Sequence, residues 1–103
     1  MKGVRKMTIE KKIYGNSAEL VLSGWMDTQS APQLAAAVDE LGPEVKSLSL
    51  DMSGLEYTSS AGMRQLVATH KRMNGALTLK HVSPEIMDVL RMIGFDKKLN
   101  FEP

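Results

Sequence analysis

Between Leu48 and Met73 the sequence LSLDMSGLEYTSSAGMRQLVATHKRM changes its hydrophobic period once, and that change dictates most of what the chain can fold into. Leu48, Leu50 and Met52 alternate with Ser47, Ser49 and Asp51, the period of a strand with one buried face. Met63, Leu66, Val67 and His70 then recur at helical spacing, with Arg64, Gln65, Lys71 and Arg72 on the other side. Tyr57, Thr58, Ser59, Ser60, Ala61 and Gly62 lie between. A strand that enters a helix through a hydroxyl-rich turn puts those hydroxyls at the helix N-terminus. Free backbone N–H groups and the helix dipole favour an oxygen or a negative charge there. Function is to be sought at this turn.

The remaining elements arrange themselves around that unit. Met7, Ile9, Lys11 and Ile13 alternate with polar neighbours, as in a strand at or near a sheet edge, and Gly15-Asn16 supplies a hairpin turn. Ala18 to Ser23 returns as the second strand, ended by Gly24, and Trp25 to Thr28 reads as a connection. A helix is expected from about Ser30, with Pro32 in its first turn and Leu34, Val38 and Leu41 as its stripe. The third strand is Ser47 to Met52, and the second helix runs from about Ser60 to Met73, where Asn74-Gly75 suits a left-handed cap. A fourth strand from Leu77 to Val82 leads to Ser83-Pro84-Glu85, a helix start. Ile86, Leu90 and Ile93 form that helix's stripe, Gly94 closes it, and Leu99 to Glu102 is a short last strand. The order β-β-α-β-α-β-α-β predicts an α/β fold. Its mixed four- to five-stranded sheet carries helices mainly on one face, with an antiparallel opening hairpin and right-handed parallel crossovers after it.

Composition narrows the functional classes. With 103 residues the chain is expected to form one domain, residues 1–103. A net charge of +1 gives no reason to expect nucleic acid or an anionic membrane, and the basic run Lys2, Arg5, Lys6 reads as a solvated arm. No apolar run approaches 20 residues and no apolar segment of signal-peptide type follows Met1, so a cytoplasmic location is expected. The absence of Cys excludes disulfides and thiolate metal sites, and two His leave little for a metal or catalytic centre. No cofactor, metal or small-molecule substrate is expected.

Three stretches carry a resemblance. Leu22-Ser23-Gly24-Trp25-Met26-Asp27 is similar to the "G-x-L-D" that ends the second strand of the STAS domain. Leu50-Asp51-Met52-Ser53-Gly54-Leu55-Glu56-Tyr57 resembles that family's "L-D-L-S-x-L-x-Y/F". Ser59-Ser60-Ala61-Gly62-Met63 stands where its anti-sigma-factor antagonists carry "D-S-S/T-G-L". The resemblance covers almost the whole chain, departing where many members add a further C-terminal helix. It implies a partner-switching module that binds an anti-sigma factor, itself a serine kinase, and so releases a sigma factor. By the same resemblance the phosphorylated serine is Ser60, with Ser59 in place of the Asp and Ala61 in place of the second hydroxyl, and a phosphatase resets the switch. Partner contacts are expected from Trp25, Met26, Asp27, Thr58, Ser59, Ser60, Ala61, Gly62 and Met63.

Each of these residues also has a plainer reading. Ser59 and Ser60 can cap a helix, Asp27 can cap a turn, Trp25 and Met26 can cover a sheet edge, and Met63 and His70 can pack in the core. A hydrolase built from Ser60, His70 and Asp51 is rejected. Ser59-Ser60-Ala61-Gly62 is no G-x-S-x-G elbow, and ten residues of helix separate Ser60 from His70 by about 15 Å. Neither phosphate-loop nor dinucleotide-binding glycine patterns occur. The alternative is a different binding module of the same fold, a non-phosphorylated STAS subunit that docks on an ABC-transporter ATPase in lipid trafficking, which the missing Asp keeps open.

Overall fold

The computed structural model describes residues 6–102. Its elements are β1 (Thr8–Tyr14), β2 (Ser17–Met26), α1 (Ala31–Asp39), β3 (Ser47–Thr58), α2 (Ser60–Arg72), β4 (Leu77–Lys80), α3 (Pro84–Met92), a 3-10 turn (Phe95–Lys97) and β5 (Asn100–Glu102). The five strands lie in the order β1-β2-β3-β4-β5. The β1–β2 hairpin is antiparallel and every later pair is parallel. Because β2 to β5 step one way across the sheet, right-handed crossovers put all three helices over one face. The expected mixed sheet with helices on one side is what the chain forms. Of the basic arm, Lys2 and Arg5 lie outside the described residues, while Lys6 is exposed.

The core is the layer between that face and the helices. Leu20, Leu22, Leu50, Met52 and Leu79 from the strands meet Leu34, Leu66 and Leu90 from the helices, and none of these side chains reaches solvent. Fully burying a side chain of this kind is worth roughly 1.5–3 kcal/mol. The opposite face carries Ser17, Glu19, Val21 and Ser23 of β2 beside Ser47, Ser49 and Asp51 of β3, all half-buried or exposed. It is an open polar face, crossed by an ion pair from Lys80 to Glu19 at 3.7 Å and by a hydrogen bond between His81 Nδ1 and Asp51 Oδ1 at 3.2 Å.

Two strands run further than the sequence pattern indicates. β3 continues past Met52 to Thr58, and β2 continues past Gly24 through Trp25 and Met26, which are therefore strand residues and not a connection. The register explains the difference. Val21 faces Asp51 but Ser23 faces Gly54, and Gly24 faces Leu55 but Trp25 faces Tyr57, so β3 spends an extra residue at each of two bulges. A bulge shifts every later side chain by one and destroys the alternation from which a strand is read. Gly24 is fitted to the same region. It has φ +90°, and a Cβ on it would lie 2.1 Å from the carbonyl oxygen of Lys6. Only a glycine lets the chain entering β1 pass this close.

At the other end, β4 stops at Lys80, where His81 turns to φ +58°, short of the expected Val82. Ile93, expected on the apolar stripe of α3, is instead the exposed C-cap, because the helix ends at Met92. The start of α3 is as expected: Ser83 Oγ accepts from the Ile86 N–H at 3.2 Å, with Pro84 in the first turn.

Candidate functional site

The ends of β2 and β3 and the first turn of α2 meet in one place. Met26 pairs with Thr58, and the Ser59 N–H donates to the Met26 carbonyl at 2.8 Å. That bond ties the residues preceding Asp27 to the residues preceding Ser60. Ser59 is extended, with φ −82° and ψ 174°, and its Oγ accepts from the Gly62 N–H at 3.1 Å. It is the N-cap of α2, a role worth about 1 kcal/mol. Ser60 is the first residue of the helix and is exposed. The two serines therefore have different tasks: one closes the helix and the other faces outward.

Asp27 closes the neighbouring turn. Its Oδ1 accepts from the N–H groups of Gln29 at 3.0 Å and Ser30 at 2.9 Å, and it lies 2.9 Å from Ser30 Oγ. Ser30 Oγ in turn accepts from the Asp27 N–H at 2.9 Å and lies 3.0 Å from the Trp25 carbonyl. Occupied in this way, Ser30 does not cap α1 with its side chain. The bond from the Ser30 N–H, foremost among these, holds the Asp27 carboxyl below its ordinary value of 3.8.

A carboxylate whose pKa is lowered on folding stabilises the fold above its unfolded pKa. It loses that contribution as pH falls through the folded value. We therefore expect the native protein to be more heat-stable than Asp27→Asn at pH 7, with the gap closing as the pH is taken below 4. Thermal melts of both proteins from pH 7 to pH 2.5 check this, and a gap independent of pH would show that the charge is immaterial to the turn.

Four residues expected to touch a partner are buried. Met26 has no exposed surface, and Thr58, Gly62 and Met63 are buried as well. The reason is the closeness of α2 to the end of β2: a Cβ on Gly62 would lie 2.3 Å from Thr58 Oγ1, 2.9 Å from Met26 Cγ and 2.9 Å from the Met26 carbonyl oxygen. These residues shape the turn from beneath. Ser60 remains outward, and Ser59, Ala61, Asp27 and Trp25 remain partly so.

Tyr57 belongs with them and the sequence reading left it out. Its ring lies 5.3 Å from that of Trp25 at an interplanar angle of 53°, and 44% of the residue is exposed. Trp25 and Tyr57 become cross-strand partners only through the second bulge, so no sequence spacing reveals the pair. His70 faces inward with its Nδ1 buried and without a hydrogen-bond partner, and Asp51 lies within β3, where its Oδ1 accepts from the Ser53 N–H at 3.0 Å. Neither joins the Ser60 turn. Among the described residues no group of three or more His, Asp or Glu side chains is placed to hold a metal ion, and no helix is long and apolar enough to cross a membrane.

Fold and site together define an open α/β domain that presents a capped serine turn at the ends of its central strands. The chain belongs to the STAS domain family: the model described as "Mlab, STAS domain" matches residues 9–100. Among solved structures it is similar to an anti-sigma factor antagonist from Mycobacterium paratuberculosis, at 22% identity and TM-score 0.83, over 95% of this chain and 86% of that one. A putative anti-sigma factor antagonist from Thermotoga maritima aligns at 17% identity and TM-score 0.76, over 90% and 84% of the two chains. The anti-sigma factor antagonist SpoIIAA in its unphosphorylated form aligns at 15% identity and TM-score 0.70, over 95% and 88%. Likeness at these identities is likeness of fold. No curated protein sequence matches the chain.

Proposed function

We infer that this protein is an anti-sigma-factor antagonist acting in the bacterial cytoplasm, a binding protein and not an enzyme. In this reading it captures an anti-sigma factor that is also a serine kinase, freeing the sigma factor, and it lets go when Ser60 is phosphorylated. A phosphatase restores it. Ser59, Ser60, Ala61, Asp27 and Trp25 form the contact surface, with Tyr57 beside Trp25.

The observation that carries the reading is the division of labour between the serines. Ser59 satisfies the helix end, so Ser60 is left exposed and can be modified without removing the cap. A phosphate there adds about −1.5 to −2 charges at a helix N-terminus, a position that accommodates negative charge. SpoIIAA, which shares the fold, has been described both phosphorylated and unphosphorylated. The domain thus tolerates a change that a partner docked over the turn does not.

The test is intact-mass analysis of the protein purified from its own cells, with fragmentation to locate a phosphate. A phosphate on Ser60 is the expected result. A protein that stays unmodified through growth, starvation and stress overturns the switch and favours a second reading, a STAS subunit docked constitutively on an ABC-transporter ATPase. What favours that second reading is Ser59 itself, which takes the place of the antagonists' Asp and has its hydroxyl engaged as a cap.

A further inference from the structure

We propose that β1 is a self-complementary edge through which two copies of this chain pair antiparallel, joining their sheets into one. Among the described residues β1 has one neighbour, β2, so the outer side of its seven residues offers backbone groups for pairing. The other edge, β5, has three residues. An exposed strand of this length is a template for another strand, and the sequence Thr8-Ile9-Glu10-Lys11-Lys12-Ile13-Tyr14 decides which one.

A two-fold axis that pairs β1 antiparallel with its own copy stands normal to the sheet. Opposed residues then lie on the same face, so only registers centred on a residue are possible. Centred on Lys11, the register places Glu10 opposite Lys12 of the second copy and Lys12 opposite its Glu10, two cross-strand pairs of opposite charge on the open face. On the helix face it places Ile9 opposite the other Ile13, twice, and on the open face Thr8 falls opposite Tyr14. The registers centred on Glu10 or on Lys12 also oppose like charges at the axis, and in addition they lose both Glu10–Lys12 pairs and set Ile9 or Ile13 against Lys11.

Exposure agrees with this register. Ile13 is 51% exposed although it lies on the face that elsewhere forms the core, where its partner across β2 is Ala18. A second Ile9, itself packed against the edge of the core, would cover it. The opposed pair of Lys11 side chains at the axis is the one unfavourable contact and keeps the association weak. Seven residues a side also bury less than the roughly 1,200 Å² typical of a stable interface, so the dimer forms at high concentration and dissociates on dilution. In the pair the helices of both copies lie on the same side, and the two Ser60 turns point to opposite ends of the joined sheet. Both stay open to a partner.

Sedimentation equilibrium of the whole protein across a wide concentration range tests the proposal, read beside three charge variants. Glu10→Lys and Lys12→Glu each replace two attractive contacts with two repulsive ones and should weaken dimerisation at least tenfold. The double variant Glu10→Lys/Lys12→Glu restores the attraction and should recover it. Because the native chain has no Cys, Lys11→Cys supplies a register test: copies related by this axis bring the two new thiols opposite one another, and mild oxidation should give a covalent dimer. All three substitutions are at exposed positions, and circular dichroism checks that each of the four variants is folded. A native protein monomeric up to about 1 mM overturns the proposal. So does a dimer indifferent to the charge variants, which would form through another face, or one whose Lys11→Cys variant resists oxidation. A monomer whose β1 instead takes up a strand of a different protein is equally an overturning result.

Discussion

Gly62→Ala should lower the thermal midpoint of this protein by roughly 5–20 °C, even though the change adds one methyl group to a helix and removes a poor helix former. Helix propensity alone predicts the reverse, a gain of about 1 kcal/mol. Packing overrules it. The added carbon would lie 2.3 Å from Thr58 Oγ1 and 2.9 Å from both Met26 Cγ and the Met26 carbonyl oxygen. A flexible side chain can withdraw from such a contact, whereas the Met26 carbonyl is held by the Ser59 N–H and by the strand pairing around it. Overpacking of this kind costs about 1–3 kcal/mol and occasionally more. In a domain of this size each kcal/mol shifts the midpoint by about 4–8 °C. The first turn of α2 would be forced away from β2, and the exposed hydroxyl with it. Partner binding should therefore fall together with stability, which differential scanning calorimetry and a binding assay on the same preparation would show. An unchanged midpoint would mean that the helix can ride up on the strand without loss, and that its close seat is not what sets the turn.

The same glycine shows where sequence reading succeeds and where it stops. Periodicity located the strand, the helix and the hydroxyl turn between them, because burial on one side imposes a period of two or of 3.6. It placed the caps at Ser83 and Asn74-Gly75, whose chemistry is local. It lost β3 at Met52, because the two bulges add residues that only the partner strand can account for. The burial of several residues of the site has its origin in that same place. Met26, Thr58 and Met63 surround the hydroxyl turn in sequence, yet they are buried beneath it, since the strands continue to Met26 and Thr58 and bring α2 down upon them. Tyr57 was passed over because its neighbour Trp25 is 32 residues away and is selected by register. Side-chain direction at the end of a strand is a tertiary property, whereas the presence of hydroxyls at a helix start is a local one.

If the proposed function holds, Ser60→Asp should leave the domain folded and weaken its hold on the proposed anti-sigma-factor kinase by about 10- to 100-fold, while Ser60→Ala should bind as the native protein does. The two halves of this expectation have separate causes. Within the domain the new carboxylate meets the free N–H groups of the first turn of α2, where a negative charge is stabilising by about 0.3–1 kcal/mol. Ser60 is exposed, so neither substitution disturbs packing, and the cap stays with Ser59 and the Gly62 N–H. Across an interface the same charge loses its water and faces a surface fitted to a neutral hydroxyl, a cost that reaches several kcal/mol where it meets like charge and is smaller at a rim. A single carboxylate carries only about half to two-thirds of the charge of a phosphate, so Ser60→Asp reports a lower limit for the modified protein. Calorimetric titration of the kinase with the three proteins, each matched for thermal midpoint, separates the possibilities. Equal binding by all three would remove Ser60 from the interface and end the switch reading while leaving the family assignment intact. Weak binding by Ser60→Ala as well would mean that the hydroxyl itself is a contact, and that loss of its hydrogen bond, more than gain of charge, is what the partner senses.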